Sequence, residues 1–421
     1  MSDKVVRLFA SFLVGVFVAR YLGPENYGIV AYATSMTALF AMFNHLGIDI
    51  YSIKYIVENP SKNKQAVSTV FILKMAASIL AVLLMLLFAI LTSQNDRDLM
   101  LLLMVFSIAI LFHPTIIFDL YFQAKVQSKY ASASKTISIV CASIFRVLII
   151  LLALSPIWFG FAFVVEALIL ALVLFYFYKT NSSKHNLFTH FDKSLASKMI
   201  RAGWMVMLGA IFATIYKRID QAMLMWLVGE GEVGLYAVAA QLSDVWVFVP
   251  TAIAAGLFPK LIELKKKSNE VYLQRLQNVF DLLFLLGFGL SIATTFVAEP
   301  LILGFYGEAY AGAAPILINH IWSSVFVFMR ALFGRWIQIE QVYVFSMVTH
   351  RLGAIANVVI NYFVIPEYGA IGAAYATLIS YSMAAYFSLI VTKKTRIIFV
   401  MMTKSLFSIF RIRHIYSSLN R

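Results

Sequence analysis

Apolar runs of about twenty residues recur along this whole chain and restrict its fold more than any other feature. A run of that length, coiled as an α-helix, is long enough to cross the hydrocarbon core of a bilayer. Of the 421 residues, 62% are hydrophobic and 13% are charged, which is more apolar surface than a soluble fold can bury. The sequence therefore predicts an all-α, polytopic membrane protein.

The distribution of lysine and arginine sets the predicted number and orientation of the spans. We predict twelve helices, at 5–21, 27–48, 67–92, 98–122, 134–155, 157–178, 199–228, 234–258, 276–297, 313–335, 343–364 and 370–391. Basic residues concentrate in every second connection, whereas the other connections carry only Arg20 and Arg97. Because basic loops stay on the cytoplasmic side, both termini are expected in the cytoplasm.

A polar turn bounded by glycines occurs twice in the chain. Gly23 and Gly28 bound the first turn, and Gly229 and Gly234 bound a similar turn 206 positions later. Such turn chemistry is typical of a connection between antiparallel helices. The repeat predicts a duplicated chain, with two six-helix lobes related by a pseudo-two-fold axis along the membrane normal. We place the lobes at 1–195 and 196–392, followed by a basic cytoplasmic tail at 393–421. An interfacial helix and a solvated tail are both compatible with that last segment.

The sequence lacks the residue patterns of an enzyme, metal or cofactor site. Cys141 is the only cysteine, and no serine–histidine–aspartate set or histidine cluster stands out. Residues 229–234 match the glycine pattern of dinucleotide-binding sites, but a membrane helix precedes them and two glutamates would repel a diphosphate. The basic loops explain the net charge of +14, so we expect no nucleic-acid partner and no cofactor.

Charged residues inside the predicted spans are candidates for function, because each is costly in a bilayer unless it is paired or faces water. Six of them lie roughly 15 Å from an outer turn, near the bilayer midplane: Arg146, Glu166, Lys217, Arg218, Asp220 and Asp244. We predict that they line a water-filled central cavity that suits an anionic headgroup. The alternative is that these residues form buried ion pairs that lock helices together.

Two further arginines lie nearer the cytoplasmic ends of their predicted helices, where two roles are open: contact with a phosphate at the mouth of the cavity, or simple extension of the side chain to the aqueous end. The predicted substrate-binding residues are therefore Arg146, Lys217, Arg218, Arg330 and Arg351. The candidates for ion coupling or pairing are Glu166, Asp220 and Asp244. Asn357 and Asn361 are polar enough to contact sugars, but polar side chains also bond between membrane helices.

Four segments carry a resemblance to a known family. They are residues 19–28 (ARYLGPENYG), Asp220 followed by 234–240 (GLYAVAA), Pro259, and residues 366–374 (PEYGAIGAA). With these segments the chain resembles the Wzx-like polysaccharide flippases of the multidrug/oligosaccharidyl-lipid/polysaccharide exporter superfamily, over essentially its whole length. The resemblance implies two six-helix lobes that form a V around a central cavity.

The resemblance also implies a function, which is translocation of undecaprenyl-diphosphate-linked oligosaccharides from the inner to the outer leaflet of the bacterial inner membrane. The products would be O-antigen, capsule or exopolysaccharide, and the partners would be membrane lipid, a polymerase and a chain-length regulator. The sequence contains no nucleotide-binding motif, so a proton or sodium gradient, or downstream consumption of the substrate, would supply the energy.

Three alternatives remain at this stage. An integral-membrane polymerase would be expected to carry a large outer loop, which the predicted topology lacks. A cation-coupled drug exporter of the same superfamily would favour an acidic cavity. The peptidoglycan-precursor flippase shares the implied fold but usually has more than twelve helices.

Overall fold

The chain is built from α-helices. A computed structural model describes residues 2–93, 96–182 and 187–408, with no strand among them. The helices are α1 (Ser2–Ala41), α2 (Asp49–Glu58), α3 (Asn63–Thr92), α4 (Arg97–Ile110), α5 (Ile116–Ala124), α6 (Ser128–Leu151), α7 (Ile157–Asn181), α8 (Lys193–Leu227), α9 (Glu230–Asp244), α10 (Phe248–Lys267), α11 (Asn269–Tyr306), α12 (Ala313–Ile321), α13 (Ser323–Glu340), α14 (Tyr343–Ala385) and α15 (Arg396–Leu406).

Most of these helices are suited to a bilayer. Within the described residues, nine helical segments are long and apolar enough to cross a membrane. Two further helices that meet at a bend pass the same test together, which brings the number to ten when they are counted as one span. The predicted all-α, multi-pass membrane fold is therefore confirmed. Two long helices are interrupted, α1 at Gly23 and α14 at Gly369. Two of the predicted boundaries between spans fall at these glycines, and the count of twelve spans stays a prediction.

The repeated glycine turn has the same backbone geometry in both copies. Gly23 has φ 71° and ψ 170°, and Gly229 has φ 100° and ψ 178°. A residue with a side chain is strained at such angles, which explains why both positions are glycine. Pro24 comes directly after Gly23, where its fixed φ suits the start of a helical segment and its missing N–H is not needed.

The interruption of α14 is stabilised from a distant part of the sequence. Gly369 has φ 53° and ψ −135°, which breaks the regular helical geometry directly before Ala370. The carboxylate of Glu232 in α9 accepts a hydrogen bond from the backbone N–H of Ala370 at 2.7 Å. A negative side chain at the start of a helical segment is also favoured by the helix dipole.

The chain divides into two compact units. Unit 1 ends at Arg218 and unit 2 begins at Ile219, so the division falls within α8. The lobe boundary that we place at 195/196 from the sequence stays a prediction. Each unit has its own apolar core. In unit 1, Phe118 and Phe122 are fully buried, and in unit 2, Phe280 and Phe333 are fully buried.

The second membrane segment of unit 1 is broken rather than straight. A 3₁₀ turn at Met42–His45 follows α1, and the next two residues have φ values of 40° and 66° before α2 begins. The break frees backbone carbonyls, and Lys74 of α3 donates a hydrogen bond to the carbonyl of Asn44 at 3.0 Å. Lys74 also pairs with Asp49 at 2.9 Å and is only 3% exposed. The lysine therefore holds both sides of the break together.

Candidate functional site

A buried carboxylate, Asp220 of α8, is the centre of the polar network in unit 2. Its side chain is 2% exposed. The amide groups of Asn357 and Asn361 donate hydrogen bonds to its Oδ1 at 2.8 and 2.5 Å. The hydroxyl groups of Tyr236 and Thr377 donate to its Oδ2 at 2.8 and 3.0 Å. We call these five residues the Asp220 cluster. Both carboxylate oxygens are thus bonded to uncharged donors.

The fold of unit 2 brings the cluster together from three helices. Asn357 and Asn361 lie one helical turn apart in α14, so their side chains share one face of that helix. The interruption at Gly369 lets the chain turn back, which brings Thr377 to the same carboxylate. Tyr236 comes from α9, next to the repeated turn.

The hydroxyl side of the cluster can accommodate either charge state of Asp220. The Tyr236 hydroxyl lies 2.9 Å from Thr377 Oγ1, so these two oxygens and Asp220 Oδ2 form a triangle of short contacts. When the carboxylate is ionised, the hydroxyls of Tyr236 and Thr377 supply two hydrogens for the three oxygen–oxygen contacts, so one contact is not a hydrogen bond. When the carboxylate is protonated, its own hydrogen is the third, and each contact becomes a hydrogen bond. The Asp220 carboxylate can therefore gain or lose a proton without leaving a buried polar group unsatisfied.

The amide side of the cluster contains an acceptor that is not used. Asn361 Oδ1 is buried and has no hydrogen-bond partner among the described residues. Buried acceptors are almost always satisfied in folded proteins, so an unused one is informative. This oxygen is available to a further donor or to a small cation.

The main charged contact in the midplane region of unit 1 has a different character. Arg146 of α6 and Glu166 of α7 form an ion pair, with Nη2 2.7 Å from Oε2. Both side chains are only partly exposed. The two residues lie ten positions before and after Pro156, which made a pair across this hairpin an expected possibility. Each charge neutralises the other, so removing one would leave the other unpaired.

The other candidate residues are charged side chains on apolar helices, where a charge is stable only beside water or another polar group. Lys217, Asp244 and Arg351 are exposed, and Arg218 is half-buried. All four belong to helical segments that are apolar enough to span a membrane. A charged group on such a segment is costly against lipid and is normally found facing water or a polar ligand. Their roles in substrate binding or coupling remain predictions.

Arg330 of α13 is engaged with α14. Its Nη1 donates to the carbonyl of Ala384 at 2.5 Å. Its Nη2 donates to Thr349 Oγ1 at 3.1 Å and lies 2.9 Å from His350 Nε2. The guanidinium therefore ties α13 to both parts of α14, on either side of the interruption at Gly369. A contact with a substrate phosphate at this residue remains a prediction.

Two members of the Asp220 cluster were not identified from the sequence. Tyr236 and Thr377 are single hydroxyl residues in apolar segments, and nothing in their local sequence distinguishes them from other tyrosines and threonines. Asn357 and Asn361 were expected either to contact sugars or to bond between helices, and in the structure both donate to a carboxylate of another helix.

The fold is shared with known membrane transporters. The chain aligns with an inward-facing multidrug resistance MATE family transporter of the MOP superfamily, with a TM-score of 0.71 and 12% identity over 94% of this chain and 96% of that one. It aligns similarly with the lipid II flippase MurJ in an inward closed conformation, with a TM-score of 0.70 and 15% identity over 97% of this chain and 91% of that one. The chain therefore shares its fold with these two transporters.

The family is given by the sequence itself. Residues 4–265 match the model of the polysaccharide biosynthesis protein family, and the chain belongs to that family. A probable flippase of Haloferax volcanii, AglR, is 28% identical over 199 residues, which cover 44% of this chain and 39% of that protein. The match thus spans well under half of that relative. The predicted family resemblance is confirmed by this match, and the fold agrees with the one that the resemblance implied.

Proposed function

We propose that the protein is a flippase that moves polyprenyl-diphosphate-linked oligosaccharide units from the inner to the outer leaflet. In this proposal it acts in the bacterial inner membrane, with both termini in the cytoplasm, in the assembly of O-antigen, capsule or exopolysaccharide. Membership of the polysaccharide biosynthesis protein family supports the proposal, as does the similarity to a probable flippase. The protein would form and break no covalent bond of its substrate, and a polymerase and a chain-length regulator would act downstream of it.

The observation that carries the proposal is the set of basic side chains on apolar, membrane-length helices. A glycosyl diphosphate cannot cross hydrocarbon unaided, because its charges and hydroxyls would lose their hydration. Lys217, Arg218 and Arg351 are exposed or half-exposed on such helices and can offer charge-assisted hydrogen bonds to phosphate oxygens. Arg146 and Arg330 would contribute only if their present contacts loosened. The polyprenyl chain would stay in lipid while the headgroup moves by alternating access.

Asp220 is the best candidate for ion coupling. Loss of the negative charge on Glu166 would leave Arg146 as an unpaired cation, whereas the donors around Asp220 are neutral. The charge of Asp220 can therefore change without leaving an opposite charge behind. The hydroxyl triangle suits a proton, and the unused oxygen of Asn361 suits a sodium ion.

The proposed activity can be tested in a deletion strain by locating the lipid-linked repeat units with a membrane-impermeant reagent. We expect single units to accumulate in the inner leaflet, and the intact gene to relieve the accumulation. The double variant Lys217→Gln/Arg218→Gln should lower the flipping rate about tenfold or more, because charge-assisted hydrogen bonds contribute about 1.5–3 kcal/mol each. The control is Lys129→Gln, at an exposed lysine in the first turn of α6.

Other outcomes of this experiment would contradict the proposal. Accumulation of units in the outer leaflet would mean that flipping is intact and that the protein is a polymerase. No accumulation at all would favour the drug exporter. An effect of the control lysine equal to that of the double variant would show that surface charge alone matters.

The coupling proposal needs a separate measurement in proteoliposomes, where a proton gradient and a sodium gradient are imposed one at a time. We expect one gradient to accelerate flipping, and Asp220→Asn to abolish that acceleration. Asp98→Asn, an exposed carboxylate in the first turn of α4, should leave the acceleration intact. Normal acceleration in Asp220→Asn would exclude Asp220 as the coupling group.

A further inference from the structure

The C-terminal part of the sequence is strongly basic. It has no aspartate or glutamate from residue 368 onward, that is, from within α14. Four cations of this segment lie in its described part, and all of them are exposed: Lys393, Lys394, Arg396 and Lys404. Such an unbalanced cluster is attracted to a negatively charged surface.

One face of α15 is fixed against unit 2. Ile398, Met401 and Met402 are buried against α11 and its neighbours. Hydrogen bonds between α11 and α15 fix the orientation of α15 in this packing. Gln277 donates to the carbonyl of Met401 at 3.0 Å and to Asp281 at 2.7 Å, and Ser405 donates to the same carboxylate at 2.7 Å. These bonds define which side of α15 points away from unit 2.

The outward face of α15 combines apolar and basic side chains. Ile397, Val400 and Phe407 are 40%, 46% and 60% exposed, and Lys404 lies on the same stripe of the helix. Apolar residues flanked by lysine and arginine are typical of helices that lie in the interface between lipid headgroups and acyl chains. The cations reach the phosphates while the apolar side chains enter the acyl region.

A hollow of about 250 Å³ lies beside the start of α15. Its lining includes Lys265, Trp336, Glu340, Lys394 and Ile397. Lys265 is paired with Glu340 at 2.9 Å, whereas Lys394 has no ion pair within the described part of the chain. The hollow thus offers an ammonium group and an indole ring directly next to the apolar face of α15.

We propose that this hollow and the outward face of α15 together bind an anionic phospholipid. Its phosphate lies at Lys394, and its acyl chains run along Ile397, Val400 and Phe407. Charge complementarity selects an anionic headgroup, because the segment has cations and no acid. The apolar stripe selects a lipid over a free phosphate ion, which would make no use of it. This site is separate from the Asp220 cluster and does not depend on the transported substrate.

The experiment uses the full chain in phosphatidylcholine bilayers that contain a minor fraction of brominated phosphatidylglycerol, which quenches nearby tryptophan. The difference between the wild type and Trp336→Phe isolates the signal from the hollow. We expect stronger quenching by brominated phosphatidylglycerol than by brominated phosphatidylcholine of the same chain length. The variant Lys394→Gln/Lys404→Gln should lower the preference for phosphatidylglycerol about 25-fold, which is about fivefold for each cation removed near a lipid surface.

The control is Lys62→Gln/Lys129→Gln, which removes the same charge from exposed positions of unit 1 and should leave the preference unchanged. Three results would overturn the proposal. The control could lower the preference as much as the α15 variant, which would indicate a general effect of protein charge. Phosphatidylcholine could quench as strongly as phosphatidylglycerol, which would exclude headgroup recognition. Inorganic phosphate at moderate concentration could displace the lipid, which would identify a site for a small anion.

Discussion

Two replacements of Asp220 distinguish the contribution of its hydrogen bonds to stability from the contribution of its negative charge. Asparagine has the same shape, and its oxygen can accept from the amides of Asn357 and Asn361 as the carboxylate does. Its amide nitrogen can then donate to the hydroxyls of Tyr236 and Thr377, because hydroxyl groups accept as well as donate. We expect the free energy of unfolding of Asp220→Asn to stay within about 1 kcal/mol of the wild type.

Leucine at the same position removes every acceptor. Tyr236 and Thr377 lie 2.9 Å apart, so one hydroxyl hydrogen can still be used between them. The second hydroxyl hydrogen and the two amide hydrogens that pointed at Asp220 lose their partner. Each buried donor left unsatisfied costs about 1–3 kcal/mol, and the low end applies here because the desolvation of the carboxylate is also removed. We therefore expect Asp220→Leu to lower the free energy of unfolding by about 3 kcal/mol.

The assay is titration of the purified full chain with denaturing detergent in mixed micelles, followed by far-ultraviolet circular dichroism. Asp244→Leu is the control, since Asp244 is exposed, and the expected change is below about 0.5 kcal/mol. Equal losses for Asp220→Asn and Asp220→Leu would refute the reasoning, because the charge would then matter and the hydrogen bonds would not. An unchanged Asp220→Leu would show that the cluster contributes nothing to stability.

Three further substitutions test the packing around two glycines and the capping of one helical segment. A Cβ on Gly203 would lie 2.7 Å from the carbonyl oxygen of Leu46, so Gly203→Ala should destabilise the protein by about 1–3 kcal/mol. Gly256, in α10, has open space around it, and Gly256→Ala should stabilise by about 0.5–1 kcal/mol in the same titration. Glu232→Ala removes the acceptor for the Ala370 N–H and should cost about 1 kcal/mol, with increased hydrogen exchange at that amide. Unchanged exchange there would show that the carboxylate does not cap the segment.

Local chemistry made part of this structure predictable. The glycine turns depend on backbone conformations that neighbouring residues cannot alter, and so Gly23 and Gly229 could be recognised from the sequence alone. The pairing of Arg146 with Glu166 follows from equal distances to a single tight turn. The glycine turns depend on residues that are close in sequence, and the ion pair depends on a single hairpin.

The remainder depends on contacts between residues that are far apart in sequence. Asp220 and Thr377 are separated by 157 positions, and no periodicity links them. The position of Lys74 shows the same limit. A lysine in an apolar helix suggests a side chain that reaches towards an aqueous end, but the broken segment next to it supplies a carbonyl and a carboxylate instead. Gly47, with φ 66°, is a local signal for the break, but the local sequence does not show that Lys74 of another helix bonds to it.

The broken second segment has a consequence for how the protein enters the membrane during synthesis. Lysine and aspartate in a membrane segment oppose insertion, by about 3 kcal/mol each when they lie at its centre and by less towards its ends. The segment that carries Lys74 has a mean hydropathy of 2.7 and inserts readily despite its lysine. The segment that carries Asp49 is interrupted and gains a partner for its charge only when Lys74 arrives beside it. The two segments should therefore leave the insertion machinery together as a hairpin, and a chain stopped before residue 74 should fail to retain the second segment in the bilayer.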